Sequence, residues 1–122
     1  MVLAKLAEDF TARHPETSAT VDRSEGGILL SLAGSLDMRV SRDLDDLLAS
    51  VVDLAEPGHP FTVDLGSVDY MSSTGVGTLV LALSRARKKN IVLTLRNMTD
   101  KVCGVFELLG FLQFFRNEVA DE

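Results

Sequence analysis

A strand-like run, a hydroxyl-rich turn, a long amphipathic run and a second strand-like run follow one another between residues 61 and 95, and few folds accept that order. Phe61, Thr62, Val63, Asp64 and Leu65 are mostly apolar and partly β-branched, bounded by Pro60 and by Gly66 and Ser67, the marks of a buried strand. Downstream, Val76, Leu79, Val80, Leu83 and Ala86 recur at helical spacing, with Ser84, Arg85, Arg87 and Lys88 on other faces. That pattern predicts a helix to about Lys89. Residues 91–95 then form a strand. Strand, helix, strand makes the two strands parallel neighbours, because a helical crossover returns the chain to the same end of the sheet.

The turn itself reads Tyr70, Met71, Ser72, Ser73, Thr74, Gly75, Val76, Gly77, so three hydroxyls fall where the helix begins. One reading is capping, since a Ser or Thr oxygen accepts from a free N–H of the first turn. A second is chemical: the same N–H groups and the positive end of the helix dipole tolerate a phosphate on one of these hydroxyls.

Elsewhere the pattern is of the same kind. Residues 2–13 place Leu3, Leu6, Ala7 and Phe10 on one face and predict a short helix ending before Pro15. Residues 17–22 and 28–33 read as two strands joined through Ser24, Glu25, Gly26 and Gly27, which favours antiparallel pairing. From Met38 to Leu54, the positions Val40, Leu44, Leu47, Leu48, Val51, Val52 and Leu54 follow a helical period, with Asp37 or Ser41 as cap and a breaker block, Glu56 to Pro60, as terminator. Asn97 to Asp100 signals another helix start, Gly110 its end, and residues 111–115 a last strand before an acidic tail. The sum is a mixed sheet with helices packed on it, an α/β architecture. In such sheets partners and ligands gather at the carboxyl ends of parallel strands, where the hydroxyls lie.

Several function classes fit poorly. A net charge of −6 over 122 residues opposes binding to a phosphate backbone. The dense basic group Arg85, Arg87, Lys88, Lys89 ends a helix and complements its dipole. One cysteine, Cys103, forms no internal disulfide, no apolar run approaches the ~20 residues of a membrane span, and Glu8 and Asp9 oppose a secretory leader, so a cytoplasmic protein is expected. A serine nucleophile lacks a base: His14 lies in the N-terminal extension, and His59 precedes the strand whose far end leads to Ser73. Gly75 and Gly77 lack the third glycine of a dinucleotide loop, since Val80 stands there. Asp64 and Asp69 are a thin basis for a Mg²⁺ site, and Cys103 shares helical spacing with Val102, Val105 and Phe106 as a small core residue does.

Residues 63–77 resemble the signature of STAS domains, the anti-sigma factor antagonist group, in which a strand V-x-L-D-L precedes F-[IM]-D-S-[ST]-G-[LIV]-G. Leu32, Gly34, Leu36 and Asp37 resemble the family's L-x-G-x-L-D; residues 97–102 and 106–111 resemble the opening and end of its next-to-last helix. The resemblance implies a mixed β-sheet with helices mainly on one face, plus a short N-terminal helix: residues 1–16 an extension, 17–116 the STAS domain, 117–122 an acidic tail. It implies a non-enzyme without cofactor, phosphorylated on Ser73 and binding partners through Asp37, Met71, Ser72, Ser73, Thr74, Gly75 and Val76. The implied partners are an anti-sigma factor that is a GHKL-type serine kinase and a PP2C-type phosphatase, with neither nucleic acid nor membrane. Ser72 stands where most members carry Asp. The other expectation is a non-switching STAS subunit of a larger assembly such as a lipid-transport complex.

Overall fold

The computed structural model describes residues 2–24, 27–115 and 117–118. The elements in order are α1 (Val2–Arg13), β1 (Thr17–Ser24), β2 (Gly27–Leu36), α2 (Met38–Leu54), β3 (Pro60–Met71), α3 (Ser73–Lys88), β4 (Val92–Arg96), α4 (Asp100–Leu108), a 3-10 turn (Leu112–Phe114) and a short β5 (Asn117–Glu118). Glu25, Gly26 and residues 119–122 of the expected turn and acidic tail lie outside the described residues.

The sheet order is the chain order, β1-β2-β3-β4-β5, with β1 antiparallel to β2 and the other pairs parallel. Each parallel step is made by one helix. Right-handed crossovers that all advance in one direction put α2, α3 and α4 on the same face. That face carries Ala19, Ile28, Leu30, Leu32, Phe61, Val63, Leu93 and Leu95, all buried. The opposite face carries Thr20, Asp22, Ser31, Thr62, Asp64 and Arg96, exposed or half-buried, as the period-2 alternation of a one-sided sheet requires.

The N-terminal helix joins the same core through Leu3, Ala7 and Phe10. It also finishes the sheet edge: Thr11 Oγ1 accepts from Ala19 N at 3.0 Å and lies 3.2 Å from Ala19 O, on the side of β1 away from β2. His14 Nε2 lies 2.8 Å from Asp43 Oδ2 on α2. Two of the four basic residues at the end of α3 are engaged. Arg85 donates to Asp45 at 2.8 Å, and Lys89 Nζ donates to the carbonyls of Val52 and Asp53, closing the C-terminal end of α2.

Two elements differ from the sequence expectation. Strand β3 does not stop at Gly66 and Ser67 but runs to Met71, because two register shifts against β2, between Ser31 and Ala33 and between Gly34 and Ser35, absorb the extra residues. Residues 111–115 are not a strand. Phe111 and Phe114 lie together at three-residue spacing, ring centroids 6.3 Å apart, and Phe115 turns in to meet Phe106 edge-on at 5.5 Å. The last pairing to β4 is made instead by Asn117 and Glu118.

Candidate functional site

Leu36 and Met71 are register partners at the carboxyl ends of β2 and β3, so the residues after them, Asp37 and Ser72, open two helices side by side. Each is an N-cap. Asp37 is extended (φ −95°, ψ −174°) and accepts from Arg39 N at 2.9 Å; Ser41 Oγ donates to Asp37 O at 2.9 Å, so of the two cap candidates Asp37 is the cap. Arg39 Nη2 also donates to Asp37 Oδ2 at 2.8 Å, and that bond holds the carboxyl below its ordinary range, against a smaller opposing effect of desolvation.

Ser72 caps α3. Its Oγ accepts from Gly75 N at 3.1 Å and donates to Leu36 O at 3.3 Å, while its own N–H reaches the same carbonyl at 3.0 Å. Only 9% of Ser72 is exposed. Ser and Asp are about equally good caps, so Ser72 serves as well for capping as an Asp at this position would. Ser73 and Thr74 come next, in the first turn of α3, and both are exposed. Ser72 takes the N–H of Gly75, which leaves those of Ser73 and Thr74 without an intrahelical partner. The first turn contains no acidic residue and the last carries Arg85, Arg87 and Lys88, so no carboxylate of α3 opposes negative charge at its start.

Gly75 is fixed by space. A Cβ there would stand 2.9 Å from Leu36 O and 3.2 Å from Met71 Cγ, closer than the backbone of β2 permits. Gly77 is not fixed in this way, since a Cβ there would meet nothing within 4 Å.

The seven candidate contact residues therefore divide. Met71, Ser72, Gly75 and Val76 are buried and shape the site from beneath; Ser73 and Thr74 present side chains to solvent, and Asp37 is half-buried. Two exposed side chains at this end are absent from the sequence candidates: Met38, 74% exposed beside Asp37, and Tyr70, 45% exposed and paired with Ser35. Met38 stands off the apolar stripe of α2 and was detectable by that. Tyr70 lies beyond a register shift that breaks the strand alternation.

The remaining candidates are structural. Asp64 accepts from Gly66 N at 2.8 Å and from Asn97 Nδ2 at 3.2 Å, whereas Asp69 is exposed on the strand. His59 sits at the opposite end of β3 from Ser73, on the order of 35 Å away at ~3.3 Å per strand residue. Burial, followed by Asp100 and Glu107, pushes the Cys103 thiol up, away from thiolate chemistry. A cleft of about 380 Å³ beside Asp37 is lined by Arg13, His14, Glu16, Ser35 and Arg39 among others, without Ser73. No group of three potential metal ligands occurs among the described residues, and no helix among them is long and apolar enough to cross a membrane.

The family model described as "Mlab, STAS domain" matches residues 19–116. The chain is 32% identical over 96 residues to BtrV of Bordetella bronchiseptica, 79% of this chain and 81% of that one. It is 31% identical over 90 residues to the anti-sigma-B factor antagonist of Bacillus subtilis, covering 74% and 80%. Among solved structures, an anti-sigma factor antagonist from Mycobacterium paratuberculosis superposes with a TM-score of 0.74 at 20% identity, over 84% of this chain and 85% of that one. SpoIIAA superposes with 0.69 in its unphosphorylated form, at 16% identity over 86% and 90%.

Proposed function

We propose that this chain, which belongs to the STAS domain family of anti-sigma factor antagonists, works as a partner switch controlled by phosphorylation of Ser73. The unmodified protein binds an anti-sigma factor, a GHKL-type serine kinase, through the surface around Ser73, Thr74 and Asp37, with Met38 and Tyr70 as apolar contacts. Binding frees the sigma factor or other client. The kinase then phosphorylates Ser73, adding roughly −1.5 to −2 charges. The fold tolerates that charge at the start of α3; a desolvated interface does not. The complex separates, and a PP2C-type phosphatase restores the binding form. The chain catalyses nothing itself, needs no cofactor, and acts in the cytoplasm.

The observation that supports this reading best is the division of labour between neighbours: Ser72 is buried and committed to capping, while Ser73 is exposed. SpoIIAA, a structural relative at 16% identity, has been solved in phosphorylated and unphosphorylated forms. The test is incubation of the protein with its purified kinase and Mg-ATP, followed by peptide mass spectrometry. One phosphate on Ser73 is expected. Ser73→Ala should keep kinase binding and abolish modification, and Ser73→Glu should weaken binding. Stoichiometric phosphorylation of Ser73→Ala would move the role to Ser72 or Thr74.

The second reading, a non-switching STAS subunit of a larger assembly such as a lipid-transport complex, draws on Ser72 in the Asp position and on the added α1. Co-purification with an ATPase subunit in place of a serine kinase would favour it.

A further inference from the structure

We infer that α1 is an edge guard: it occupies the outer edge of β1 and so keeps a second copy of this chain from adding its own β1 there as a further strand. The backbone groups of an edge strand that point away from the sheet are a template for such pairing. In this sheet β1 is the long edge, with 8 residues, whereas β5 at the other edge has 2. Ala19 turns its N–H outward, to Thr11 Oγ1 at 3.0 Å. In an antiparallel ladder without register shifts every second residue does the same, so Thr17, Val21 and Arg23 face outward with it. Thr17 and Ala19 are already taken. The N–H of Thr17 donates to His14 O at 2.9 Å, and one hydroxyl, that of Thr11, meets both the N–H and the carbonyl of Ala19 as a neighbouring strand would. The free run shrinks to Val21 and Arg23, shorter than a strand pair ordinarily needs.

The family model matches residues 19–116, so the cover lies outside the stretch that defines the family. It is nonetheless fixed as firmly as the core, with Leu3, Ala7 and Phe10 each at most 3% exposed and His14 2.8 Å from Asp43 at its C-terminal end. With the edge bare, β1 suits its own two-fold mate. Placing Thr20 opposite Thr20 of a second copy sets Ala19 against Val21 and Thr17 against Arg23, so every outward residue pairs. Asp22 then faces Ser18, and no like charges are opposed. Such a pairing uses the same surface on both copies and closes at a dimer. The helix α1 and the second copy therefore compete for one edge.

Analytical ultracentrifugation of the full chain tests this, with hydrogen exchange of the Ala19 amide as the report on the edge. Thr11→Val keeps the shape of the side chain and removes the hydroxyl; Ala7→Asp places a carboxylate where α1 meets the core. In both, the Ala19 amide should lose protection and the mass should rise with concentration to twice that of the monomer, while the wild-type protein and Thr11→Ser stay monomeric. Adding Arg23→Pro, at an exposed residue whose N–H points outward, should weaken the association roughly tenfold or more through the lost ladder bonds. A folded monomer with an unprotected Ala19 amide overturns the inference, as does association that Arg23→Pro leaves unchanged. So does an Ala19 amide that stays protected in Thr11→Val, since the hydroxyl is then not what closes the edge. Should Ala7→Asp unfold by circular dichroism, Thr11→Val decides alone. A wild-type dimer that Arg23→Pro dissociates would show the edge open with α1 in place, and overturns the inference too.

Discussion

Replacing each of the two adjacent serines by alanine should separate a structural hydroxyl from a chemical one. In Ser72→Ala the cap is lost, which costs about 1 kcal/mol in general. Here the abandoned N–H belongs to Gly75, which is buried, so its desolvation is not recovered from water and the cost rises toward about 2 kcal/mol. Leu36 O is not stranded, because it keeps the Ser72 N–H at 3.0 Å, and nothing further need be added. At an unfolding entropy of about 2.1 cal/mol/K per residue, each kcal/mol shifts the melting temperature of a 122-residue domain by about 4 °C. Ser72→Ala should therefore melt roughly 6–8 °C lower by calorimetry or circular dichroism. Ser73→Ala touches an exposed position and should stay within about 2 °C, equivalent to ~0.5 kcal/mol. Phosphorylation should show the reverse, with Ser72→Ala still modified and Ser73→Ala not. Equal thermal shifts in the two variants, or a phosphate on Ser72 in the wild-type protein, would refute the division between them.

Gly75→Ala should lower the urea midpoint by an amount equivalent to about 1–3 kcal/mol, since the new methyl must displace Leu36 O or Met71; an unchanged midpoint would mean the helix start moves freely. Lys89→Met should destabilise by about 1 kcal/mol, because the carbonyls of Val52 and Asp53 lose their cationic donor, and amide exchange should rise first in the last turn of α2. Asp37, held low by Arg39, stabilises the fold above the ordinary carboxylate range and loses that contribution as pH falls through its depressed value. In Arg39→Gln the Asp37 carboxyl should titrate at higher pH by NMR, and acid fraying of α2 should begin sooner; titration at the same pH in both proteins would exclude Arg39 as the cause.

The helices were legible where periodicity met a clear stop: α1 before Pro15 and α2 before the Glu56 to Pro60 block match the expected spans. The end of β3 was not, because Gly66 and Ser67 resemble a turn and only the neighbouring strand reveals that the register slips there. Residues 111–115 have strand composition, yet the aromatic contacts of Phe111 with Phe114 and Phe115 with Phe106 fold them into a turn. At the candidate site, Ser72, Ser73 and Thr74 are chemically alike in sequence. Which of them caps the helix is a matter of a single residue, and Ser72 is held in that place by the carbonyl of Leu36 in a strand 36 positions away. Gly75 and Gly77 likewise look equivalent until the space around each is known.

Because the strands lie side by side in the order in which they are synthesised, every pairing joins segments separated by one turn, one helix or, for β4 and β5, a helix and a 3-10 turn. Loop closure is therefore short at each step, and the entropy lost before a contact forms is small. Assembly can proceed strand by strand from the N-terminus, since Thr11 meets Ala19 of β1 only eight positions along the chain. A sheet connected in this way demands no long-range search for its last strand.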